Sequence, residues 1–251
     1  MVIYHHYDPQ NRISEADLKQ IGQIRQVAEK LVFVTNSALE QAELDKIAPY
    51  ASEVILRENH GYDFAGWKEA ILKTGMDQIR KFDELVLMNN SCYGPEYDLN
   101  RMFSEMEQEP VDFWGVTMFP YQPDGSYLNK PCIDPHVQSY FQVYRNAALI
   151  NPAFEKFWSA LPVSDDFIET VANGETALTH YLEEAGLKWS AYVKETAILN
   201  SYLACGSVPY HYPYELLLLR SPFVKKKAEQ YMDLEQETKL KAMMAQLEHH
   251  K

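Results

Sequence analysis

The chain has 251 residues, 46% hydrophobic and 24% charged, which suits one compact globular domain and excludes disorder along its length. Asp and Glu total 36 against 23 Lys and Arg, and the net charge of −13 repels phosphate backbones, so general nucleic-acid binding is excluded. Three scattered cysteines, Cys92, Cys132 and Cys205, form neither a disulfide framework nor a metal spacing. No apolar run approaches the ~20 residues of a membrane span. Met1–Asp8 lacks the basic start and apolar core of a signal peptide, and a cytoplasmic location is expected.

The first apolar stretch, Val2–Tyr4, is too short to weigh alone. Ser14-Glu15-Ala16-Asp17 reads as a capped helix start, and Leu18, Ile21, Ile24, Val27, Ala28 and Leu31 follow at helical spacing. Leu31-Val32-Phe33-Val34 is a continuous apolar run ending at Thr35-Asn36-Ser37, the mark of a strand buried on both faces of a parallel sheet. A polar helix near Leu39–Ile47 and a short strand Val54-Ile55-Leu56 come next. Asn59-His60-Gly61-Tyr62-Asp63 reads as a turn, with Asp63 as N-cap of a helix carrying Phe64, Trp67, Ile71 and Leu72. Leu85-Val86-Leu87-Met88 is a third buried strand, closed by Asn89-Asn90-Ser91. A helix around Leu99–Met106 and a strand Phe113–Thr117 follow.

Four prolines between Phe119 and Pro135 mark a long loop, and Ser139–Arg145 reads as a strand. A helix holding Phe154, Phe157 and Trp158 is stopped by Pro162. Another spans Asn173–Gly186, and the tail from Lys225 reads as a charged helix. Strands alternating with helices in this way predict βαβ units and a mostly parallel sheet flanked by helices.

Ligands of open α/β sheets bind beyond the carboxyl ends of the strands. Thr35-Asn36-Ser37, Asn59-x-Gly61-x-Asp63 and Asn89-Asn90-Ser91 all fall at that edge, where their amides, hydroxyls and carboxylate can bond a base, ribose or diphosphate. The same residue types also simply make turns. Neither a phosphate-loop Gly-Lys-Ser/Thr nor Gly-x-Gly-x-x-Gly occurs, which disfavours nucleotide kinases of that type and nicotinamide dehydrogenases.

Four strings resemble the rhamnan synthesis protein F family of bacterial cell-surface polysaccharide assembly. They are Arg57-Glu-Asn59-His-Gly61-Tyr-Asp63-Phe-Ala-Gly-Trp67, Leu87-Met-Asn89-Asn90-Ser91-Cys-Tyr93-Gly94-Pro95, Asp112-Phe-Trp114-Gly115-Val-Thr117 and His136-Val-Gln138-Ser139-Tyr-Phe141. Ser221-Pro222-Phe223-Val-Lys225 is a weaker fifth. The resemblance implies a Rossmann-like A-type glycosyltransferase fold over residues 1–224, with 225–251 as a charged helical tail.

It also implies transfer of a sugar, rhamnose by family association, from a nucleoside diphosphate sugar to a glycan or lipid-linked glycan, with inversion. Thr35, Asn36, Asn59, Gly61 and Asp63 are then the nucleotide-binding candidates, and Asn89, Asn90 and Ser91 face the diphosphate. His136, Gln138 and Ser139 lie near the transferred or accepting sugar. Glu175, in Asn173-Gly174-Glu175-Thr176, resembles the acidic helix start that supplies the base; there the helix dipole would keep it ionised.

Such transferases place a carboxylate motif for Mn2+ or Mg2+ where this chain has Asn89-Asn90-Ser91, which supplies only weak ligands. Asp63 and Asn90 are the candidate ligands if a cation is held. Otherwise helix N-termini, Arg57, Arg145 or a lysine of the tail must steady the leaving diphosphate. The run Lys225-Lys226-Lys227 offers peripheral contact with the inner face of a membrane, or is a solvated helix start. A non-catalytic sugar-nucleotide or glycan-binding protein of the same fold is the alternative, favoured by the missing carboxylates. A nucleotidyltransferase would carry a glycine-rich basic loop near its start, which is absent here.

Overall fold

The computed structural model describes residues 1–194 and 207–249; Cys205 lies outside the described residues. In chain order the strands are β1 (Val2–His6), β2 (Leu31–Thr35), β3 (Glu53–Leu56), β4 (Glu84–Asn89), β5 (Cys92–Tyr93), β6 (Phe113–Gly115), β7 (Met118–Phe119), β8 (His136–Val137), β9 (Phe141–Arg145), β10 (Trp189–Ala191) and β11 (Val224–Lys225). Seven of them form the central sheet in the order β10-β6-β9-β4-β1-β2-β3. All neighbours in it are parallel except β9, which runs antiparallel to β4 and β6. The mixed α/β architecture with a mostly parallel sheet is the expected one.

The apolar runs form the middle of this sheet because both of its faces are covered. Tyr4, Phe33 and Met88 pack on one side with Ile21 and Ile24 of the helix Glu15–Val27. Ile3, Val32, Val34 and Leu87 pack on the other with Trp67 of the helix Tyr62–Thr74. Ser14 and Asp17 form the expected reciprocal cap of the first helix. The unweighed stretch at Val2 proves to be an interior strand, between β4 and β2. Its last residues, His5 and His6, are buried, and burial holds the His5 ring neutral by lowering its pKa from 6.5 to about 3.

Three helix starts differ from expectation. Gly61, not Asp63, is the N-cap of Tyr62–Thr74, and it takes a left-handed φ of 72° that a residue with a Cβ tolerates poorly. Asp63 sits inside the first turn. Secondly, the helix expected from Asn173 does not start there: it is continuous with the helix at Phe167, whose start Asp165 and Asp166 also mark in the sequence. Asp166 caps it by accepting from the Glu169 N–H, and it continues through a π-helical turn, Val171–Glu175, to Thr176–Glu184. Thirdly, the tail opens not as an α-helix but as the strand Val224–Lys225, paired antiparallel with Cys92–Tyr93, and a 3-10 turn, Lys226–Gln230; the α-helix begins at Leu234 and runs to His249. Leu240 of that last helix packs on Leu217 and Val224.

Candidate active site

Strand order reverses at β1: β2 and β3 lie to one side of it and β4 to the other. The three polar clusters close on the carboxyl ends of these strands. Asn36 Nδ2 donates to Asn59 Oδ1 (3.5 Å) and to the Tyr62 carbonyl (3.4 Å). Arg57 Nη1 donates to Asn36 Oδ1 (2.7 Å) and to the His60 carbonyl (2.9 Å), while its Nε bonds Glu69 (3.0 Å). From the far side, Asp165 accepts from the Gly61 N–H (2.8 Å) and lies 2.7 Å from His60 Nδ1. The Asn59–Gly61 loop is thus pinned by an arginine and a carboxylate, a pairing no local pattern announces.

Across β1, Asn89 Nδ2 donates to Asp63 Oδ2 (2.7 Å), joining the second cluster to the third. Asn89 Oδ1 accepts from the Ser91 N–H (3.1 Å) and hydroxyl, which fixes the orientation of the amide. Lys225 Nζ donates to Ser91 Oγ (3.0 Å) and stands 4.6 Å from the centre of the Tyr140 ring. Asn90 turns away from Asp63: its amide exchanges hydrogen bonds with the backbone of Tyr7 (3.2 and 3.3 Å).

The fourth string meets the helix 167–184 at the same corner. The Ser139 N–H donates to Glu175 Oε2 (2.9 Å), and His136 Nε2 lies 3.6 Å from Glu175 Oε1. The close approach of Glu175 to the helix Tyr62–Thr74 depends on Gly174. A Cβ there would fall 2.8 Å from the ring of Phe64. Gln138 accepts from the Thr117 hydroxyl (2.8 Å) and donates to the Ser207 hydroxyl (3.2 Å).

Two carboxylates therefore face one corner in opposite surroundings. Burial raises the Asp63 pKa above 3.8; the Asn89 amide counters this, and the Glu175 charge adds to it. Burial also opposes ionisation of Glu175. His136 and the Ser139 N–H overcome that penalty and pull its carboxyl from 4.5 down to about 2. Glu175 is thus held as an anion by two side contacts, not by free N–H groups of a helix start, since it lies inside a continuous helix. A carboxylate with so low a pKa is a weak proton acceptor; Asp63 is the more basic of the two.

Several expected contacts are not available. Thr35 is wholly buried, its hydroxyl engaged with His6 Nδ1 (2.9 Å) and the Ser37 N–H (3.0 Å), so it supports the edge from behind. Arg145 lies at the opposite end of the sheet beside Glu84, bonding the carbonyls of Met106, Glu109 and Val111. The basic run does not form an outward patch. Lys225 faces Ser91, Lys226 bonds Asp17 (2.9 Å), and only Lys227 is exposed. Among the described residues no helix is long and apolar enough to cross a membrane.

A family model described as rhamnan synthesis protein F matches residues 31–251. A Sinorhizobium fredii (strain NBRC 101917 / NGR234) protein, described as uncharacterized protein y4gN, is 25% identical over 174 residues, 68% of this chain and 43% of that protein. The chain thus spans less than half the length of this curated relative. Among solved structures, S. aureus TarS 1–349 overlays with a TM-score of 0.43 at 10% identity, covering 95% of this chain and 68% of that one. A cytidylyltransferase from Leptospira borgpetersenii serovar Hardjo-bovis (strain JB197) overlays with a TM-score of 0.38 at 11% identity, covering 75% of this chain and 73% of the other. Both are loose overlays.

Proposed function

The chain belongs to the rhamnan synthesis protein F family, and from that premise we propose that it transfers a sugar, rhamnose, from a nucleoside diphosphate sugar to a hydroxyl of a growing cell-surface polysaccharide. The observation that carries this reading is the closure of three strand-end clusters on the point where strand order reverses, with Asn89 bonded to Asp63 and Lys225 to Ser91. Open α/β sheets take their ligands there. Asn36, Asn59 and the Gly61 turn line the side suited to base and ribose. Ser91 lies on the side suited to the diphosphate.

The chemistry is a single in-line displacement with inversion. The acceptor oxygen bonds the anomeric carbon while the bond from that carbon to the diphosphate oxygen breaks, and its electron pair leaves with the diphosphate. Asp63 takes the acceptor proton. Glu175 stays ionised and faces the positive charge that develops at the anomeric carbon, a role that asks for a permanent anion rather than a base. His136 and Ser139 hold Glu175 in place.

The absence of carboxylates at Asn89-Asn90-Ser91 favours the second reading, a sugar-nucleotide-binding protein without turnover. Thermal denaturation with UDP, GDP, CDP, ADP and dTDP tests the site both readings share. One of these is expected to raise the melting temperature, since ligand at 100 times its Kd stabilises by ~2.7 kcal/mol. No shift with any of them contradicts a nucleotide site at this edge.

A further inference from the structure

Building on the transferase reading above, we propose that Lys225 stands in for a divalent cation at the leaving diphosphate, so that transfer runs without Mn2+ or Mg2+. Its ammonium bonds the departing phosphate oxygens as the anomeric carbon–oxygen bond breaks. It keeps its own proton, and the electron pair of the broken bond stays on the diphosphate.

The donor chemistry at this corner does not fit a divalent cation. Mn2+ and Mg2+ want several anionic or strongly polar oxygens in near-octahedral array. Of the two carboxylates at this corner, Asp63 is held by Asn89 and the Phe64 N–H, and Glu175 is held apart from Asn89-Asn90-Ser91 by His136 and the Ser139 N–H, so they do not converge on one point. The Asn89 carbonyl accepts twice from Ser91, and the Asn90 amide is committed to Tyr7. Among the described residues no group of three or more His, Cys, Asp or Glu side chains converges anywhere.

A cation of the protein's own stands there instead. Lys225 Nζ carries three donor hydrogens, of which Ser91 Oγ takes one. The rings of Tyr140 and Tyr210, 4.6 and 5.6 Å away, flank the ammonium, and the charges of Glu175 and Asp63 both act on it. Its position is set by a ladder rather than a loose loop, since Lys225 lies opposite Cys92 in the β11–β5 pair. The neighbouring cations are engaged elsewhere: Arg57 with Glu69 and Asn36, Lys226 with Asp17, and Lys130 with the Ala172 carbonyl and Thr176.

Calorimetric titration of the full chain with inorganic pyrophosphate and with UDP, GDP, CDP, ADP and dTDP, in EDTA and again with Mn2+ or Mg2+, tests this. The wild type is expected to bind one nucleoside diphosphate with an affinity that the cation changes by less than about threefold. Lys225→Met keeps the stem over Tyr140 and removes the charge. It is expected to weaken binding roughly 10–100-fold and transfer by about 10²–10³-fold, the usual loss for one preorganised donor. Lys225→Arg is expected to retain most binding, and Lys227→Met all of it.

Melting temperatures of the variants separate loss of charge from loss of fold. If Lys225→Met does not fold, the wild-type comparison in EDTA and the Lys225→Arg variant decide the matter. Binding that requires the cation, or a folded Lys225→Met variant that binds and turns over like the wild type, overturns the inference and leaves the transferase reading standing. Failure of every nucleoside diphosphate to bind the wild type, with or without cation, overturns both.

Discussion

Asp63→Asn is expected to lower transfer by about 10²–10⁴-fold, the range that a positioned general base supplies. The substitution preserves shape and removes the basic oxygen. It also sets a second amide against Asn89, whose Nδ2 donates to Asp63 and whose Oδ1 is held by Ser91, so a stability loss of about 1–3 kcal/mol accompanies it. Rates are therefore compared well below the melting temperature of the variant. The pH profile of kcat/KM separates the two carboxylates. The base must be deprotonated to act, so the rate falls as pH drops through its pKa. Asp63, raised by burial and by Glu175, places that acid limb above pH 3.8. Glu175→Gln removes one of the charges that raise Asp63 and is expected to move the limb to lower pH, with a smaller loss of rate than Asp63→Asn. An acid limb near pH 2 would instead identify Glu175 as the proton acceptor.

Trp67→Ala is expected to cost about 3–5 kcal/mol, a large share of the 5–15 kcal/mol that holds a typical domain folded. Trp67 is fully buried beneath the site, and its indole N–H donates to the Met88 carbonyl on β4 (3.2 Å). Its ring meets Phe64 edge-on at 5.2 Å, and His5 lies 6.5 Å away on β1. Truncation opens a cavity between the helix Tyr62–Thr74 and the two strands that end in the site. The same helix carries Asp63, so the variant also loosens the Asp63–Asn89 bond. Urea unfolding measures the loss; a value below ~1 kcal/mol would mean that this packing does not anchor the helix. Trp67→Phe fills most of the space and is expected to cost less.

Much of the sheet was legible because Leu31–Val34 and Leu85–Met88 are buried on both faces and read as unbroken apolar runs. Their polar ends, Asn36 and Asn89, stood out for the same reason. The interior strand β1 was hidden because its apolar part, Val2–Tyr4, is too short to read as a strand and the buried His5 and His6 that complete it are residues local patterns assign to no core. Asp63 was legible as a site residue but not as the partner of Asn89, since that bond joins residues 26 positions apart. Asn173-Gly174 reads as a helix start, which would put Glu175 in the first turn. Phe64 leaves room there only for a glycine, so the glycine serves close packing and the helix runs on through it. The inward turn of Lys225 follows from the pairing of β11 with β5, more than 130 residues away, which no local composition reports.

The central claim is that this strand edge turns over a nucleoside diphosphate sugar. The most direct measurement is the initial rate of nucleoside diphosphate release from rhamnose-bearing sugar nucleotides, with a rhamnose oligosaccharide as acceptor and the anomeric configuration of the product read by NMR. The account predicts consumption of one donor, acceptor-dependent release and inversion at the anomeric carbon. A donor that binds and raises the melting temperature but is never cleaved, with a panel of acceptors present, would contradict it and leave a binding protein built on a transferase-like sheet.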